Sequence, residues 1–148
     1  MIHIKQGLMK RRKITIGILG IVAFIALGIN HFFQVSPPSY IPAKWQMPIV
    51  YGLIVYKIIE LGLFYLFLYH RQYLKVVDNA FHTDALQNFE KYAKKFFFLV
   101  PQGSIVFGIL SYKLSGSIYF LWLFLVIALF VLWTVNPNKL EESLSSNK

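Results

Sequence analysis

The stretch PIVYGLIVYKIIELGLFYLFLY, residues 48–69, constrains this chain more than any other part of it. As a helix it would extend roughly 33 Å, the thickness of a bilayer's hydrocarbon core. Yet it carries Lys57 and Glu60 close to its middle, about 13 Å from either end. A lysine side chain can snorkel only part of that distance. On insertion scales each such charge costs on the order of 2.5–3.5 kcal/mol at the helix centre, so both need shelter inside protein.

The rest of the chain agrees with a membrane class. Of its 148 residues 57% are hydrophobic and only 14% charged, which sets it apart from soluble globular domains. The expected fold is an all-α, integral membrane four-helix bundle, a single polytopic domain over residues 1–148. Crossings are expected at about 14–33, 48–69, 96–114 and 118–135. The net charge of +9 would suit a nucleic-acid binder only if the basic residues formed a water-exposed surface. They stand instead at the ends of apolar segments, so the expected partners are the lipid bilayer and its anionic headgroups, and no nucleic acid. With no cysteine, disulfides, thiolate chemistry and Cys-ligated metals are excluded.

Residues 1–13 hold Lys5, Lys10, Arg11, Arg12 and Lys13 and no acid. The apolar stretch after them, Ile14 to Phe33, is longer than a signal-peptide core and is followed by no small-residue cleavage site, so it reads as a retained anchor. Gly17, Gly20, Ala23 and Ala26 give it a small-residue face for helix packing. A proline-rich outside loop with Tyr40 and Trp45 follows. Past residue 69, the connection at 70–95 repeats apolar residues at helical spacing. That predicts an amphipathic helical extension between helices 2 and 3, turning near Asp78 to Thr83, with Asp84 and Gln87 as a capping box.

The third segment has Pro101 and Gln102 in its first turns, then Ser104, Gly108, Ser111 and Ser115 on one stripe, a second expected packing face. Pro101 is expected to bend it. Lys113 and the turn Ser115–Ser117 lead to IYFLWLFLVIALFVLWTV, apolar on every side, and a polar tail at 136–148. Twelve of the fifteen Lys and Arg residues fall on one side of these segments, with only Lys44 and Lys113 on the other. This predicts four crossings with both termini cytoplasmic, in a plasma (bacterial inner) membrane. Lys94 and Lys95 join the N-terminal cluster as headgroup or topology residues.

The expected site is an intramembrane polar cluster. Lys57 and Glu60 share a helix face, Gln102 stands within about 5 Å of the depth of Glu60, and Tyr56 and Ser104 are near enough to contribute. The pair can be closed within the chain, can meet a group on another subunit, or can exchange a proton or cation at Glu60. His70, Asp78, His82 and Asp84 match no metal-ligand spacing, no histidine lies deep in a crossing to hold a haem, and no nucleophile elbow, Walker loop or dinucleotide fingerprint is present. No cofactor and no catalytic residue are expected. The function expected is a non-enzymatic membrane protein, an accessory subunit or self-associating scaffold in a homo- or hetero-oligomer. The alternatives are a small proton- or ion-coupled transporter using Glu60 with Lys57, and a lipid- or quinone-acting enzyme near His70 and Arg71.

Overall fold

The computed structural model of the chain describes residues 2–78, 83–139 and 142. Within them are four helices and no strand: α1 (Ile2–Phe32), α2 (Ala43–Asp78), α3 (Thr83–Ser115) and α4 (Ile118–Thr134). The first three are long and apolar enough to cross a membrane. At 17 residues α4 is shorter, about 25 Å.

Helix α1 begins at Ile2 rather than at Ile14. Lys, Arg, Gln, Leu and Met make up most of the basic segment, and it has no proline to stop the helix. Leu8 is buried in it, so the added turns pack against the core. Below Leu8 the buried stripe is Thr15, Leu19 and Ala26, a near-heptad spacing.

Helix α2 starts directly after Pro42, runs through Pro48, and buries Val50, Lys57 and Leu61 on one narrow face. On a regular helix Tyr69 and Val76 would fall about 80–100° away from that face. They are buried nonetheless. The difference is absorbed by a π-helical turn, Tyr65–His70, in which the Arg71 N–H donates to Leu66 O, five residues back. Its extra residue is worth about 100° and returns Tyr69 and Val76 to the face of Lys57. Tyr69 then packs on Phe89 and Phe96 of α3, with ring centroids 5.5 and 5.9 Å away.

Helix α3 is central. Its apolar span is 44% buried, against 17% for α1 and for α2. It lies along α1, α2 and α4; α1 and α4 also touch each other, while α2 rests chiefly on α3. The four-helix bundle is thus a three-helix wedge with α2 laid along its middle member. Helix α3 passes through Pro101 without interruption. A proline removes the bond that the carbonyl four residues back would accept. That carbonyl belongs to Phe97, and the buried Thr15 hydroxyl of α1 donates to it at 3.3 Å, as hydroxyls do where apolar surroundings offer no water.

The extension of α2 and α3 beyond residue 70 is helical, and the expected turn residues 79–82 lie outside the described residues, as does most of the tail. Asp84 sits within the first turn of α3, not at a cap before it, where a carboxylate still suits the positive helix end. At the opposite end Gly116 takes φ +67° between α3 and α4, and a Cβ there would press on Val35 O and Pro37. Lys113 donates to Ser36 O at 3.2 Å, tying the proline loop to this turn.

Candidate functional site

Lys57 reaches α3 at a point where α3 has no side chain. Its Nζ donates to Glu60 Oε2 at 2.5 Å, the two being one helical turn apart on α2. A Cβ built on Gly103 would overlap that ammonium and stand 3.6 Å from Glu60 Oε2. The glycine is therefore a notch in α3 that receives the charge. Above it the Phe107 ring centroid is 5.4 Å from Nζ, a cation–π distance. The Lys57 side chain is wholly inaccessible, whereas 20% of the Glu60 side chain remains exposed. The ensemble is electrically neutral and closed on the lysine side. An ion pair in so dry a place spends most of its attraction offsetting desolvation, so its main effect is to fix how α2 sits on α3.

The other expected members of the cluster divide. Tyr56 is beside it: its ring meets Phe107 edge-on at 5.6 Å, with the residue more than half exposed. Gln102 is not brought to the pair. It follows the depth argument but lies about 100° further round α3 than Gly103, and it is exposed on the outer surface. Ser104 is fully buried and its hydroxyl bonds nothing among the described residues; the same holds for Ser111. Both lie on the stripe of Gly108, four residues before it and three after. There Gly108 brings α3 close to α4: a Cβ on it would stand 3.3 Å from Leu121 O and 3.4 Å from Phe124 Cβ. The stripe of Ser104, Gly108 and Ser111 is a packing face, as its spacing indicates.

Gly17 and Gly20 are not used for packing within the chain, since a Cβ on either would meet nothing within 4 Å. The core side of α1 is set instead by the heptad stripe of larger residues. The basic residues also divide. Arg12 Nε and Nη2 donate to Leu132 O and Trp133 O at 2.9 and 3.2 Å, so this arginine caps the end of α4 where carbonyls lack helical partners. Lys94 pairs with Glu90, and Lys95 lies over the Tyr92 ring. Lys10, Arg11 and Lys13 are exposed.

His70 stacks on Tyr65, centroids 5.8 Å apart, within a ladder of rings that continues through Tyr69 to Tyr73. His82 lies outside the described residues. Among the described residues no three of the His, Asp and Glu side chains are grouped so as to hold a metal ion. Sequence reasoning missed Gly103, Phe107 and Thr15. The first had a legible signal, a glycine beside Gln102 at the depth already matched to Glu60. Compared with family models, with curated proteins and with solved structures, the chain matches none of them.

Proposed function

We propose that this is a small multi-pass membrane protein, with four crossings and both termini cytoplasmic, that works by lateral association rather than by catalysis. It would serve as an accessory subunit or a self-associating scaffold in a bacterial inner membrane. The observation that carries this reading is Gln102, a side chain with donors and an acceptor left exposed on the flank of an apolar span. In hydrocarbon such a group is satisfied by another helix, and interhelical bonds of this kind contribute about 0.6–2 kcal/mol each. The open face of Gly17 and Gly20 on α1 adds a second surface that a helix could approach closely. Purification in mild detergent should give an assembly larger than one chain, and Gln102→Leu should weaken it without unfolding the protomer. A monodisperse single chain, indifferent to that change, would overturn the reading.

A proton- or ion-coupled transporter is the second reading, favoured by the exposed fifth of the Glu60 side chain. It predicts gradient-driven flux in proteoliposomes that Glu60→Gln abolishes. The burial of Lys57 weighs against it, because removing charge from Glu60 strands the ammonium.

A further inference from the structure

Between α1 and α3, at the end where basic residues gather, runs a groove of about 310 Å3 lined by Arg11, Ile14, Thr15, Ile18, Phe97 and Phe98. Two hydrogen bonds fix the heights of its walls. Thr15 bonds Phe97 O, and Tyr112 OH donates to Asn30 Oδ1 at 3.0 Å; each joins positions 82 apart. The two helices therefore run parallel with a constant offset, which sets Lys10, Arg11 and Lys13 level with Tyr92, Ala93 and Lys95. Along α1, Ile14 and Ile18 follow Arg11 at three and seven residues, on the same side. Along α3, Phe98 follows Lys94 and Lys91 at four and seven. The groove thus has an apolar floor and a mouth whose charge is Arg11 on the α1 bank, with Lys91 two turns before Phe98 on the α3 side.

These cations are not equivalent. Arg12 is engaged with the end of α4 and Lys94 with Glu90. Arg11 lines the groove and forms no hydrogen bond or ion pair among the described residues. The Thr15 hydroxyl already donates its one hydrogen bond to Phe97 O, so it has no donor left for an anion.

We propose that this groove binds one anionic phospholipid of the cytoplasmic leaflet, its phosphate against the Arg11 guanidinium and the upper part of an acyl chain along Ile14, Ile18 and Phe98. A guanidinium matches a phosphate by its paired donors, and basic pockets between membrane helices on the cytoplasmic side hold such headgroups. A free phosphate ion would meet only Arg11, whereas the lipid also fills the floor. The assignment rests on the membrane reading with a cytoplasmic N-terminus.

The test is native mass spectrometry of the full chain released from bilayer discs of equal parts phosphatidylglycerol and phosphatidylcholine. Retained lipid should be enriched in phosphatidylglycerol. Arg11→Gln should cut that enrichment about fivefold. Lys13→Gln, at nearly the same height but outside the groove, should cut it much less. Ile18→Trp, which fills the floor, should lower retention of both lipids. Equal retention of the two lipids, equal losses for Arg11→Gln and Lys13→Gln, or displacement by excess inorganic phosphate would each overturn the site. A chain that enters the discs without lipid selectivity loses only this inference. One that does not enter them loses the membrane reading as well.

Discussion

Helix α3 presents a glycine to each of two neighbours, and the two seams are built on different physics. At Gly108 the missing side chain lets the backbone of α4 approach, so that seam is held by dispersion contacts around Gly108, Leu121 and Phe124, with Ser104 and Ser111 buried on the same stripe. At Gly103 the missing side chain admits a single charged group from α2. The first seam is tolerant because many weak contacts share it. The second depends on one lysine having its carboxylate, and fails as a unit.

Breaking the charged seam should give the largest effect. Glu60→Gln leaves a fully buried ammonium without its counter-ion and should destabilise the chain by about 3–5 kcal/mol in detergent unfolding. The double change Lys57→Met with Glu60→Leu should recover most of that loss, since buried pairs exchange well for apolar groups. A double variant as unstable as the single one would show that the pair does more than hold α2 in place.

The notch itself gives the next effect. Gly103→Ala should cost about 1–3 kcal/mol by pushing the ammonium out of its seat. The same change should be nearly silent where Lys57 is already Ala. Gly108→Leu should cost about as much, with no dependence on residue 57. Cross-dependence between these two glycines would dissolve the distinction between the seams.

Smaller still is the α1 contact. Thr15→Val should cost about 1 kcal/mol by orphaning Phe97 O, and Pro101→Ala in the same chain should remove that cost by restoring a helical donor. Gly17→Ala should move stability by no more than about 0.5 kcal/mol, because its Cβ enters open space. Thermal unfolding of the purified variants orders all five.

What the residues disclosed in advance follows the same division. Apart from the basic turns that carry α1 back to Ile2, helix positions were legible from apolar length and from prolines and the Ser115–Ser117 turn, because these are local. The packing stripe of Ser104, Gly108 and Ser111 was legible from spacing. Lys57 with Glu60 was legible because one turn separates them. The partners across helices were not, since depth can be counted along a chain but rotation cannot: Gln102 and Gly103 share a depth, and only the glycine faces α2. Arg12 looked like any other basic residue near a membrane, and nothing local distinguishes it as the cap of α4. The small-residue face of Gly17 and Gly20 meets no helix of its own chain, and the lesson there is the converse. A surface fit for packing does not say whether its occupant belongs to the same chain.

The π-helical turn at Tyr65–His70 makes the two ends of α2 separately adjustable. Its surplus residue acts as a phase setting between the charged middle and the ring-lined end. Deleting one residue there would swing Tyr69 and Val76 out of the core by about 100° while leaving Lys57 seated. The ring-lined end would then come undocked from a helix whose charged middle still holds.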